Sequence, residues 1–266
     1  MRLGLRVPLT VLALVALAAC GASGNAAGAP APNGAPAPVA NSPGEQPAPD
    51  KPGPAPQPVP TPIQREADYV SFEGGLRVYP RLHRAEMPVT LLGAQTRALE
   101  FLVVSPGGAT HESLFATGVK AEHLKRALQI LLLKEAVTKR SGRGYLEKPE
   151  GDRVRVSVRF QHAATGATTT VPVEDWLVDA VDNTSPEKVG FVFTGSYEQY
   201  QPDLNRSLIE ADMKGNLIAM WRDASCLLDN DRKHGAQPDV YSPNPKADGI
   251  PPGMTEVTLL FEPWKE

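Results

Sequence analysis

Between Cys20 and Pro62 the chain carries thirteen of its 27 prolines, mixed with alanine and glycine, and only three charges, at Glu45, Asp50 and Lys51. No apolar periodicity runs through these residues, so they cannot bury enough surface to offset the entropy of ordering them. Proline-rich chain of this kind favours extended polyproline II, at about 3.1 Å per residue, and 20–62 reads as a disordered spacer reaching on the order of 100 Å. A proline-motif ligand for a partner is the lesser reading. The spacer constrains the rest of the chain: roughly 200 residues from Ile63 onward must supply the whole core. That size suits one domain, and 63–266 shows neither a second proline-rich linker nor an internal repeat.

Ahead of the spacer, Arg2 and Arg6 precede a run of thirteen uncharged residues, Val7 to Ala19. A membrane-spanning helix needs about 20 apolar residues, so this run has the length of a signal-peptide core. It ends in Leu17-Ala18-Ala19-Cys20-Gly21, which is similar to the lipobox of bacterial lipoproteins. That likeness implies a signal peptide, 1–19, and a mature chain starting at Cys20. The Cys20 thiol would take a diacylglycerol, and the acyl chains, palmitate among them, would hold the protein in the membrane. Gly21 in place of an aspartate points to the outer membrane. The expectation is an exported lipoprotein on the outer membrane or the periplasmic face of the cell envelope. The plainer reading is a secreted protein cut at an Ala-x-Ala-like site, with Cys20 unmodified.

Loss of Arg2 and Arg6 takes the formal charge from −3 to −5. A mildly acidic domain has no electrostatic case for binding nucleic acid. With Cys20 lipidated, Cys226 is the remaining thiol. No internal disulfide can then form, and neither an iron–sulfur centre nor a structural zinc finds its set of thiolates. Cys226, followed by two leucines, is expected as a small buried hydrophobe.

Short strand-like runs dominate the rest. Arg77 to Leu92 contains two of them. Ala98 to Val104 is a continuous apolar run, as in a strand buried on both faces. Ser105-Pro106-Gly107-Gly108 interrupts it, and the diglycine predicts a hairpin in which His111 to Thr117 returns as the partner. Leu124, Ala127, Leu128, Leu131 and Leu132 fall at three-four spacing and predict one long helix, Ala121 to Ala136. Arg153 to Gln161 alternates throughout. Val154, Val156, Val158 and Phe160 share one face and Arg153, Arg155, Ser157 and Arg159 the other, as in a half-buried antiparallel strand with a basic, solvated side. Thr168 to Val178 returns across Gly166. Further strands are expected over 189–194, 207–210, 217–221 and 257–261, with a turn at 212–216. The fold class expected is α+β: mostly antiparallel sheet packed by one principal helix, preceded by the disordered tether.

The densest chemistry is Gly107-Gly108-Ala109-Thr110-His111-Glu112-Ser113, followed by His123. A turn at Gly107 and Gly108 can place backbone N–H groups around a ligand. His123 sits in the first turn of the predicted helix, where the dipole disfavours imidazolium, and a neutral imidazole is what a metal ligand or general base requires. His111 or Glu112 together with His123 is thus the candidate metal or ligand-binding set, and a divalent metal is the cofactor it would hold. On a strand, His111 and Glu112 point to opposite faces, and their spacing matches no usual zinc or hydrolase signature. The plain reading makes the histidines surface or structurally bonded groups, with Glu112 in an ion pair. Ser113 lacks a nucleophile-elbow pattern. Glu174-Asp175-Trp176 joins two carboxylates to an aromatic ring, which suits sugar chemistry, but neighbours on a strand diverge and Trp176 reads first as core. The row Arg153, Arg155, Arg159 faces an anionic polymer or simply solvent. Asp223 and Asn230 read as turn and capping residues.

The order of blocks carries a resemblance. An apolar strand is followed by Ser-Pro-Gly-Gly-x-x-His-Glu-Ser-Leu (105–114) and a helix starting near Glu122-His123-Leu124. Then come Val-Glu-Asp-Trp-Leu (173–177), Phe-Val-Phe-Thr-Gly-Ser (191–196) and the stretch from Asp223 to Asn230. In this order the domain resembles the bacterial YdjY-like domain family of exported proteins, over roughly Tyr69 to Pro263. Some members of that family are described as ferredoxin-like, and this chain departs from them, since Cys226 alone ligates no cluster. The resemblance implies a domain boundary and no mechanism, and it places His111, Glu112 and His123 first for any site.

Two functions stand as expectations. The leading one is a non-enzymatic, lipid-anchored envelope protein that binds an envelope protein, a polymer or a small ligand near the membrane. The alternative is a metal-binding protein or metal-dependent enzyme centred on His111, Glu112 and His123.

Overall fold

A computed structural model describes residues 64–65, 68–93 and 98–265. The signal peptide, Cys20 and the proline-rich spacer read from the sequence lie outside the described residues. In chain order the first elements are β1 Gln64–Arg65, β2 Val70–Ser71, β3 Arg77–Tyr79, β4 Arg84–Leu91, β5 Phe101–Val104, β6 Ser113–Ala116 and helix α1 Ala121–Ile130. Next are β7 Arg153–Gln161, β8 Thr168–Pro172, β9 Leu177–Asp179, β10 Phe191–Phe193, β11 Glu198–Gln201, β12 Arg206–Ile209 and helix α2 Glu210–Lys214. The last are β13 Asn216–Ala219, β14 Leu228–Asp229, β15 Tyr241–Pro243 and β16 Glu256–Pro263.

Three long strands form the backbone of the fold. β16 lies between β4 and β7, antiparallel to both, with Leu259 opposite Met87 on one side and Val158 on the other. The alternation in Arg153–Gln161 buries Val154, Val156, Val158 and Phe160, as its pattern predicts. From β7 the pairing continues through β10, β14, β13, β5 and β6, and β6 returns to β4 at Thr90↔Ala116 and Leu91↔Phe115. Eight strands thus close on themselves, a size at which side chains just fill the interior, and closure removes the free edges an open sheet would leave.

The fold is therefore mostly β, a closed eight-stranded barrel, and not the α+β sheet packed by one principal helix that the sequence predicts. The strand-like runs are strands. What the periodicity does not carry is the short seam that closes them, two residue pairs linking β4 to β6.

Two local departures from the sequence pattern flank that seam. Gly107 and Gly108 do not turn a hairpin. Residues 105–112 run back alongside β5, with Thr110–Glu112 in a 3-10 turn, so β6 starts again beside Phe101 and pairs parallel to β5. Eight residues reach about 26 Å when extended, twice the length of a four-residue strand, so this short return suffices. The predicted helix is also shorter, because α1 stops at Ile130. Leu132 is left-handed at φ 65° and 78% exposed. Beyond it the Lys134 N–H donates to Asp152 Oδ2, and the Ala136 N–H donates to the carbonyl of Phe193. Those acceptors draw the chain off the helix and onto the flank of β10, with Leu133 and Ala136 still buried.

β5 is buried on both faces, as expected. Leu102 and Val103 join the main core, whereas Phe101 and Val104 pack with Ala219 and Cys226 in a second small cluster. Cys226 is fully buried, and burial pushes its thiol well above the ordinary value. The expected strand Thr168–Val178 divides: β8 stays on β7, a 3-10 turn spans Val173–Trp176, and β9 leaves to form a two-stranded ribbon with β15. The turn expected at 212–216 is the end of helix α2, closed by Gly215 in the left-handed region. Among the described residues no helix is long and apolar enough to cross a membrane.

Candidate functional site

The residues singled out in the sequence fall in different surroundings. His111 has a side chain 76% exposed, and its Nε2 lies 3.2 Å from Glu112 Oε1 in the same turn. His123 is only 6% exposed on α1, its ring packs 5.6 Å from that of Phe72, and its Nδ1 has no hydrogen-bond partner. His111 and Glu112 are thus paired at the surface, while His123 faces the core. Ser113 is buried and donates its hydroxyl to the Ala109 carbonyl at 2.7 Å. Gly108 is pressed against a neighbouring loop: a Cβ there would lie 2.4 Å from the Gly215 carbonyl oxygen. That close approach, together with the Ser105 N–H bond to the same oxygen at 2.7 Å, is what the diglycine permits.

The arginine row on β7 is occupied within the molecule. Arg153 pairs with Asp231, Arg155 lies 5.1 Å over the Trp264 ring, and Arg159 grips both oxygens of Glu86 at 3.0 and 2.6 Å. Glu174, Asp175 and Trp176 diverge. Glu174 forms a buried ion pair with Arg232 at 2.5 Å, Asp175 meets Lys188 at 2.6 Å, and Trp176 packs on Phe160 and Phe115.

The largest concentration of buried charge lies from Arg222 to His234, a stretch that the sequence reading takes for turn and capping residues, Asp223 and Asn230 among them. Arg222, Asp223, Asp229, Asn230 and Arg232 are all buried. Arg222 donates to the Leu146 carbonyl at 2.8 Å and to the Asn230 carbonyl at 2.9 Å, stitching the 145–147 loop to the barrel. Asp223 is held by Arg143 at 2.6 Å, and Arg143 in turn holds Glu100 at 2.8 Å. Burial pushes the Glu100 carboxyl above its ordinary range against the pull of Arg143, and a hydrogen bond with the Glu112 carboxyl adds to the rise. Deeper still, Asp229 accepts the Tyr145 hydroxyl at 2.5 Å and the N–H groups of Asn230 and Asp223. Burial outweighs those three bonds and raises Asp229 to about 6, while burial and the Asp229 charge push the Tyr145 phenol up. A continuous network therefore runs from exposed His111 through Glu112, Glu100, Arg143 and Asp223 to Asp229 and Tyr145. The trace it leaves in the sequence is the crowding of both signs of charge around Cys226-Leu227-Leu228.

Asp179, Asp182 and His234 are the group of three whose ligand-type atoms lie within 4.8 Å of one another among the described residues; the set His111, Glu112, His123 does not form such a group. Asp179 Oδ2 lies 2.9 Å from His234 Nδ1, and Asp179 Oδ1 accepts the N–H groups of Val181 and Asp182. Burial alone would raise the Asp179 carboxyl, but the His234 contact and those two donors hold it below its ordinary range. Lys233 stands 3.5 Å from Asp182. Internal partners thus already balance these carboxylates.

Open space collects beside the β9–β15 ribbon. Residues alternate sides along a strand: Leu177, Asp179 and Tyr241 face inward and are buried, which leaves Val178, Ala180, Ser242 and Asn244 on the outer face. That face floors a trough of about 490 Å³, walled by Asn183, Thr184, Ser185, Pro245 and Lys246. Asn244 and Pro245 are shared with a second hollow of about 350 Å³ at the end of the barrel, lined mainly by apolar side chains, among them Leu91, Leu114, Ala247 and Ile250. Thr184 and Ser185 are shared with a small hollow of about 40 Å³ that reaches Asp179 and Asp182. The three adjoin as one cleft, apolar at one end and charged at the other. Chemically, it can bind; the walls of its trough carry amides, hydroxyls and one lysine.

Among known families, the YdjY domain matches residues 84–262, a span that contains nearly all of the eight barrel strands and the cleft. No curated protein and no solved structure matches the chain.

Proposed function

The chain belongs to the YdjY domain family, and on that premise we propose that it is a lipid-anchored envelope protein whose barrel is a binding head. The observation that carries the reading is the cleft: three adjoining hollows with shared walls, set at a barrel mouth, where ligand sites commonly form. The carboxylates and arginines of 222–234 are buried and held by partners from elsewhere in the chain, Asp223 by Arg143, Asp231 by Arg153 and Arg232 by Glu174, so they tie the fold together. The thirteen-residue apolar run before Cys20, and the proline-rich spacer after it, support anchorage with the head held away from the membrane.

Two experiments test the two halves. In a host that lipidates such signals, Cys20→Ala should move the protein from the membrane to the soluble fraction and abolish palmitate labelling. Unchanged membrane association of the variant contradicts the anchor. For the head, thermal unfolding of the mature chain is followed with dodecanoate, an N-acetylglucosamine trimer and a peptide of residues 30–62. A ligand at a hundred times its Kd stabilises by about 2.7 kcal/mol. At least one probe should raise the Tm of the parent and leave Ala247→Trp, which fills the cleft, unmoved. Equal responses of the two proteins, or none from either, overturn the binding head.

A further inference from the structure

We propose that the cleft takes a single-chain amphiphile, its tail in the proline-walled hollow and an anionic head beside Lys246. This rests on reading the cleft as a binding site and names what fills it. The hollow at the barrel end has about 350 Å³, within the range of pockets that take small ligands. Its walls are Leu91, Leu114, Ala247 and Ile250 with Pro251 and Pro252. Asn244 brings amide atoms to it, and both ends of that side chain are engaged. Nδ2 donates to the Asp175 carbonyl at 3.1 Å, and Oδ1 accepts the Lys246 N–H at 2.9 Å. Trp176 also lines the hollow, and its indole N–H has no partner among the described residues. But a sugar ring or a peptide unit seated against the aliphatic and proline walls would lose most of its hydrogen bonds to water, whereas a hydrocarbon tail loses none.

The adjoining trough is more polar, although Val178, Ala180 and Pro245 also line it. Ser242, Thr184, Ser185 and Asn183 offer hydroxyls and an amide, and Lys246 is the only charged residue in its lining. Lys246 is exposed and takes part in no ion pair among the described residues. A small anionic head placed over the shared Asn244–Pro245 wall meets that ammonium while its tail stays in the hollow. The ribbon itself disfavours an extended peptide. The outer edge of β9 is taken where the Asp179 N–H donates to the Thr184 carbonyl. On β15 the Tyr241 carbonyl already accepts the Leu99 N–H, and Pro243 has no N–H to offer. A peptide strand therefore finds no open ladder there.

Calorimetric titration of the full mature chain with straight-chain carboxylates, hexanoate to dodecanoate below their micelle concentrations, tests the proposal. The Kd should fall about fourfold per added methylene until the hollow is full. Lys246→Glu, a surface change that leaves the core untouched, should weaken dodecanoate at least tenfold, and Ala247→Trp should abolish binding. Absence of saturable binding, or binding that both variants keep, overturns the amphiphile. If the carboxylates fail while the trisaccharide or the peptide stabilises the parent and not Ala247→Trp, the binding head stands and the amphiphile falls.

Discussion

Asp229 is fully buried, forms no ion pair among the described residues, and meets its three hydrogen-bond donors in the heart of the 222–234 network. Burial sets its carboxyl at about 6, above the ordinary value of 3.8. The folded state therefore binds this proton more tightly. The stabilisation that the proton brings is fully present below about pH 4 and is lost as pH rises through 6, a change of about 3 kcal/mol. Asp229→Asn cannot titrate, so urea unfolding at pH 4 and at pH 7 should show the variant gaining on the parent by that order across the interval. A constant difference would mean that the Asp229 carboxyl titrates alike in the folded and unfolded chain. Gly108 makes a second test at this scale. Its missing Cβ is the space taken by Gly215, so Gly108→Ala should cost about 1–3 kcal/mol in chemical unfolding. Gly107, with nothing within 4 Å of its own Cβ position, tests backbone strain alone. Equal losses at the two positions would remove close packing as the reason for the diglycine.

Among the elements, α1 depends on a partner far along the chain. Asp212 of α2 accepts the N–H of Ala121 at 2.6 Å and that of Glu122 at 3.1 Å, which caps the helix across 91 residues. Asp212→Ala should cost about 1 kcal/mol and raise amide exchange in the first turn of α1, with β7 and β16 unaffected. The buried pair Arg232–Glu174 ties the segment after β14 to the turn before β9. Arg232→Ala should cost about 3–5 kcal/mol by leaving Glu174 uncompensated; a loss near 1 kcal/mol would mean that water reaches the carboxylate. These cases show what a sequence can and cannot carry at this scale. The alternation in β7 is local, and its boundaries are legible to the residue. The end of α1 is not, because the chain turns at Leu132 to meet Asp152 and Phe193, whose positions no window around Leu132 contains. The diglycine is legible as a turn but not as the start of a parallel return, since both outcomes use the same permissive residues.

At the scale of the whole molecule, closure reorders what the sequence shows piece by piece. Nearly every barrel strand is visible as an apolar run, but an open sheet with a helix laid on it and a closed barrel share those runs. They differ in the two-pair seam of β4 and β6. The site is less legible still. His111, Glu112 and His123 stand out because their residue types are chemically suggestive, yet the first two pair at the surface and the third lies against Phe72. The cleft is built largely from valine, alanine, proline, serine and asparagine, types with no catalytic or ligating signature, brought together by the β9–β15 ribbon. The central claim is that the molecule meets its ligand in this cleft, and amide chemical-shift mapping of the isotope-labelled protein titrated with dodecanoate tests it most directly. Saturable shifts concentrated at Ala180, Ser242, Lys246 and Ala247 are the predicted result. Shifts centred on His111 and Glu112, or a spectrum that does not move, would contradict it.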